Sequence, residues 1–220
     1  MHQLMKFCLA SLIFLTAACG STATQRYILG EKLLEVDFSQ SFDWERYVNP
    51  NQNVEFQVVD GAYQAHAWDG GFTWTLHPTQ TDDVVIEANV IQYSEYRDNA
   101  YGLMCRAKPE ASGDGYFFMI SADGMYTIRR GIQREIGALI PWTRSGAIQQ
   151  DKGVNRIRVV CIGDYLALYV NGQFVAETRD DRYQRGSVGI TAAVPEGGEV
   201  DVRFDNLEAW AASFEASNGT

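Results

Sequence analysis

The 220-residue chain is acidic, with 18 Lys and Arg against 28 Asp and Glu and a formal charge of −10 at pH 7. Phosphate binding draws on basic surface that such a chain lacks, which excludes nucleic acid as a partner and suits a solvated protein outside the cytoplasm. At 46% hydrophobic content it can bury one substantial core, and all-β sandwiches of this length fold as single domains.

Met1 to Lys6 carries one basic residue, Phe7 to Leu15 is apolar, and Thr16-Ala17-Ala18 places small residues before Cys19. A membrane span needs about 20 apolar residues, so this shorter run reads as a cleaved signal, residues 1–18. The string Leu15-Thr16-Ala17-Ala18-Cys19-Gly20-Ser21 resembles the lipobox of bacterial lipoproteins, with Thr16 where Leu is commonest. That resemblance implies a diacylglycerol on the Cys19 sulfur and an acyl chain on its freed amine, a membrane anchor that several chains make effectively permanent. Gly20 in place of Asp then implies the outer membrane or cell surface. The competing reading is ordinary cleavage after Ala18, leaving Cys19 unmodified. Removal of the signal takes Lys6 with it and leaves the chain one unit more negative.

The lipidated Cys and a small, polar tether occupy residues 19–32, and 211–220 reads as a tail. Between them, residues 33–210 show no sustained helical period. Asp60-Gly61, Asp69-Gly70, Asp114-Gly115, Asp123-Gly124 and Asn171-Gly172 each separate two apolar runs, the strongest short-range hairpin signal. The strands so marked are Val54 to Val58, Ala62 to Ala67, Phe72 to Leu76, Asp83 to Tyr93, Asn99 to Ala107 and Tyr116 to Ser121. Met125 to Arg130, Asn155 to Cys161, Tyr165 to Val170, Gln173 to Thr178, Ser187 to Ala193 and Val200 to Trp210 follow. A dozen short strands exceed what one open sheet holds, so they stack as two. Alternation sends Ile157, Val159, Cys161, Leu166, Leu168 and Val170 to the core and Tyr165 and Tyr169 outward. Cys105 and Cys161 sit in strands of an oxidising compartment, where they form either a disulfide or two separate buried thiols.

In this order, Asn99 to Ala107, Gly115 to Met119, Asn155 to Val160, Tyr169 to Phe174, Gly186 to Ile190 and Phe204 to Leu207 resemble the strands of concanavalin A-like lectin and glucanase domains. The similarity is greatest to the branch holding laminin-G-like modules and the 3-keto-disaccharide hydrolases. It implies an all-β, two-sheet antiparallel jelly-roll sandwich over about Leu33 to Trp210. It also implies a structural calcium ion where the first and last strands meet, for which Asp37 and Asp205 are the available carboxylates. The competing reading has Asp205 hydrogen-bonded to backbone.

A glycoside hydrolase on this fold requires two carboxylates about 5 to 10 Å apart. Family 16 enzymes carry Glu-x-Asp-x-x-Glu in mid-chain, whereas the nearest string here, Glu35-Val-Asp37-Phe-Ser-Gln40, is on the first strand and ends in Gln. Asp82-Asp83 and Asp180-Asp181 sit at strand edges. No Gly-x-Ser-x-Gly elbow accompanies His66 or His77, and two His without a Cys pair match no zinc pattern. Sugar binding asks only for exposed rings to stack on a pyranose and polar groups for its hydroxyls. Trp68, Trp74 and Trp142, with Tyr96, Arg106 and Arg129, are the candidates, each Trp competing with a core or edge role. Trp44 and Trp210 read as structural. Arg106 and Arg129 imply either an open sheet face or a salt bridge. The expectation is a non-catalytic, lipid-anchored module for carbohydrate or an envelope protein, with a hydrolase of the 3-keto-disaccharide type and a docking subunit as alternatives.

Overall fold

A computed structural model describes residues 23–40, 42, 44–109 and 112–216. Its strands in chain order are Tyr27–Val36 (β1), Tyr47–Asn49 (β2), Val54–Val59 (β3), Ala62–Trp68 (β4), Gly71–Thr81 (β5), Val84–Gln92 (β6), Ala100–Ala107 (β7) and Gly115–Ile120 (β8). Met125–Ile132 (β9), Glu135–Arg144 (β10), Asn155–Ile162 (β11), Tyr165–Val170 (β12), Gln173–Arg179 (β13), Gly186–Val194 (β14) and Glu199–Phe214 (β15) complete them. All pairings are antiparallel. One sheet runs β13-β12-β11-β6-β15-β4-β3-β2 with β1 added on β15, and the other runs β10-β9-β8-β7-β14-β5. Among the described residues no helix is long and apolar enough to cross a membrane.

Period-two alternation explains the layers. Along β8, Tyr116, Phe118 and Ile120 enter the inter-sheet core while Phe117 and Met119 join a separate cluster on the outer face of the six-stranded sheet. Ile157, Val159, Cys161, Leu166, Leu168 and Val170 all lie in the inter-sheet core, as their spacing predicts. A third cluster covers the outer face of the larger sheet, where Tyr165 and Tyr169 do point outward. There Phe214 packs on the Tyr165 ring at 5.8 Å, and the Tyr165 hydroxyl donates to Glu177. Cys105 of β7 and Cys161 of β11 form a disulfide joining the two sheets.

Three strands extend the sequence reading. β1 runs from Tyr27, inside the expected tether, and pairs with β15 through Phe214, inside the expected tail. Those two boundaries are therefore corrected. β1 escapes notice because its outward side chains stay exposed, so it lacks the alternation of a half-buried strand. β2 has only three residues, and β10 is an edge strand with Pro141 near its exposed end.

The six-stranded sheet curls. β5 and β9 are four steps apart, about 19 Å in a flat sheet. Yet the Phe72 ring of β5 lies 6.2 Å from Phe117 of β8 and 5.5 Å from the Arg129 guanidinium of β9. The outer face of this sheet is thus concave, and side chains from its two sides meet across it.

Candidate functional site

On β5, Phe72, Trp74 and Leu76 alternate onto the concave face. Trp74 meets Phe117 edge to face at 6.1 Å. The loop between β7 and β8 lies directly on this indole, since a Cβ added at Gly113 would sit 2.9 Å from it. Phe72, Phe117 and Arg129 together form a bridge that divides the concavity.

A cavity of about 1230 Å³ lies on the Trp74 side. Its apolar wall is Phe72, Trp74, Leu76 and Ile136, and its polar lining includes Arg134 and Gln80, whose amide N–H donates to the buried Ser187 hydroxyl at 2.7 Å. It continues around the β5 edge to His77, Glu45 and Tyr47. Burial holds the His77 imidazole below its ordinary pKa, so the ring is neutral at pH 7. Its Nδ1 accepts from the Thr79 N–H at 3.2 Å, which leaves the ring proton on Nε2 as a donor. Trp44, 5.1 Å away, backs the ring and donates its own indole N–H to Thr75.

A second cavity, of about 440 Å³, lies on the other side of Phe72. Met125, Trp142, Ala100 and Ala193 line it together with Asp98 and Asp123. Trp142 is 39% exposed. Buried Asn99 fixes its walls: the side-chain amide donates to the Tyr96 carbonyl at 2.7 Å and its oxygen accepts from the Ala122 N–H at 3.3 Å. The loop carrying Asp98 and the turn carrying Asp123 are thereby held together.

The sequence candidates divide accordingly. Trp74 and Trp142 line one cavity each, and Arg129 stands between them, its Nη2 donating to the Ile136 carbonyl. Burial holds the Arg129 guanidinium below its usual pKa, and its Nε has no hydrogen-bond partner among the described residues. Trp68 is on the outer face of the opposite sheet, its ring tilted against His66 at 4.8 Å. Tyr96 packs partly buried against the inter-sheet core.

Arg106 is corrected from a ligand-binding to a structural role. A bulge between β7 and β14 gives it a φ of 53° and turns it off the concave face, leaving it 0% exposed. Its guanidinium donates to the carbonyls of Asp82, Gly163 and Tyr183 and to the Asp83 carboxylate at 2.9 Å. The salt-bridge alternative therefore holds for this residue.

Asp37 and Asp205 are each engaged by neighbouring residues. Backbone and side-chain hydrogen bonds from Ser39 pull the Asp37 carboxyl below its usual range, and Asp205 accepts from the Asn206 N–H and side-chain amide. Among the described residues no group of three His, Cys, Asp or Glu side chains is placed to hold a metal. Cys19 lies outside the described residues.

Sequence reasoning missed Phe72, Gln80, Arg134, Asp98 and Asp123. Phe72 was legible, because the spacing of Phe72, Trp74 and Leu76 alone places them on one face. The others sit in loops or at strand ends, where only tertiary folding brings them to a cavity.

No family model and no curated protein sequence matches the chain. Similarity to solved structures is extensive. A carbohydrate-binding module, CBM66, from Bacillus subtilis aligns at 14% identity and a TM-score of 0.59, over 85% of this chain and 97% of that one. A Bacillus subtilis protein of unknown function with a galectin-like fold aligns at 14% identity and a TM-score of 0.64, over 86% and 100%. The GH43 protein BlXynB from Bacillus licheniformis aligns at 12% and 0.57, over 80% of this chain and 39% of its own. At such identities the likeness establishes the fold: a two-sheet, galectin-like jelly-roll sandwich.

Proposed function

We propose that this protein is a glycan-binding sandwich that holds saccharide in its concave face without turning it over, tied to a membrane through lipid on Cys19. The observation that carries this reading is the Trp74 cavity, whose lining joins an aromatic wall to the polar side chains of Gln80 and Arg134 and, around the β5 edge, to His77 with its Nε2 proton. A pyranose presents an apolar C–H face and a rim of hydroxyls, and this combination serves both. The carbohydrate-binding module and the galectin-like protein among the structural neighbours support it. The lipobox resemblance supports placement at the outer membrane or cell surface.

A glycan-array screen tests it, using the wild type, Trp74→Ala and Trp68→Ala. Saccharide binding that falls at least tenfold with Trp74→Ala and persists with Trp68→Ala is expected. Retention by Trp74→Ala, or hydrolysis of the bound sugar, would overturn the reading, the second in favour of a hydrolase. Binding to no sugar would favour the docking role. The anchor is tested separately: cells given an alkyne fatty acid should label the wild type and leave Cys19→Ser unlabelled.

A further inference from the structure

We propose that the smaller cavity, beneath Trp142, is a second saccharide subsite that selects a sugar bearing a free ammonium group. This inference rests on the glycan-binding reading above. About 440 Å³ falls in the lower part of the range of ligand pockets, enough for a short saccharide end and too little for a long polymer segment.

Its chemistry differs from that of the larger cavity. Phe72, Met125, Ala100 and Ala193 form an apolar floor, and the partly exposed indole of Trp142 stands at the rim. The charged residues in its lining are Asp98 and Asp123, and no Lys or Arg lines it. Among the described residues, neither carboxylate is in a salt bridge. The Asp123 carboxylate accepts from the Ser121 hydroxyl, and the nearby Arg144 donates to the Asp123 carbonyl at 2.8 Å, not to its carboxylate. Arg97, beside Asp98, is engaged by Asp151 at 2.7 Å and by Gln150 at 2.9 Å.

Two carboxylates outside any salt bridge among the described residues, next to an apolar floor, favour a cation and disfavour uronate or sulfate groups. An aromatic face adds to the attraction for an ammonium and stacks on the ring that bears it. A 2-amino-2-deoxyhexose supplies both features in one unit, whereas its N-acetyl form has no charge to offer. Asn99 holds both acidic walls in place before a ligand arrives, so little ordering is required on binding.

Calorimetric titration of the full chain in detergent micelles tests this with three probes: a glucosamine tetramer, an N-acetylglucosamine tetramer and putrescine. Affinity for the glucosamine tetramer at least tenfold above that for the acetylated one is expected. The double variant Asp98→Asn/Asp123→Asn should abolish that preference while leaving binding at the Trp74 cavity intact. Equal affinity for the two tetramers, or a preference that survives the double variant, would overturn the proposal. Putrescine binding as well as the tetramer would overturn its sugar component. Neutral saccharides binding through Trp74 with no amino-sugar preference would sink this subsite alone. Failure of every saccharide, amino sugars included, would sink the glycan reading with it.

Discussion

Arg106 and Glu87 illustrate how individual charges are spent on building this sandwich. Arg106 donates to three backbone carbonyls and to Asp83 in full burial, so its removal orphans the carbonyls. Arg106→Met is expected to cost about 3 kcal/mol in denaturant unfolding, since three backbone carbonyls lose their donor while Asp83, partly exposed, is resolvated by water. An unchanged unfolding midpoint would contradict the structural role. Glu87 on β6 accepts from Arg156 and Arg158, both at 2.8 Å. Burial pushes its carboxyl up, but those two hydrogen bonds and charges prevail and hold it below the ordinary 4.5. The unfolded chain therefore takes up the proton first as pH falls. The stabilisation is complete above about pH 4.5 and is lost as pH drops through the lower folded value. Unfolding curves from neutral pH into this acid range should show Glu87→Gln losing less stability than the wild type, and a parallel loss would refute the assignment.

At the scale of elements, the Cys105–Cys161 bridge ties β7 of one sheet to β11 of the other across 56 residues of sequence. In the chain-entropy account, closing a loop of that size contributes about 4 kcal/mol. The double variant Cys105→Ala/Cys161→Ala should show a loss of that order in denaturant unfolding, and a loss below about 1 kcal/mol would mean the bridge adds little. The interior strands were legible because the alternation of β8, β11 and β12 and the Asp-Gly and Asn-Gly turns are local signals. β1 was not, because it joins β15 with an exposed face and so reads as a polar tether. Arg106 was not either: its neighbours place it on the concave face, and only the pairing of β7 with β14 reveals the bulge that turns it away. Alternation likewise cannot tell which sheet an outward residue belongs to, so the separation of Trp68 from Trp74 and Trp142 emerges only from the fold.

At the scale of the molecule, the curled sheet creates the concave face. Flat, it would present Phe72, Trp74 and Leu76 near one edge and Arg129 near the other. Curled, it brings them together and leaves one cavity on each side of the bridge, the larger bearing Arg134 and the smaller bearing two carboxylates. The five tryptophans sample separate regions of this architecture. Trp74 and Trp142 line the two cavities, Trp44 lies in the core, Trp68 is beside His66 on the opposite sheet, and Trp210 lies beneath the Lys32 ammonium. Indole N–H resonances recorded during titration with the strongest-binding array saccharide report on all five at once. Ligand-dependent movement of Trp74, with Trp68 and Trp210 unmoved, is the predicted result. Movement of Trp68 or Trp210 with Trp74 unchanged would place the sugar on the other sheet and contradict the account.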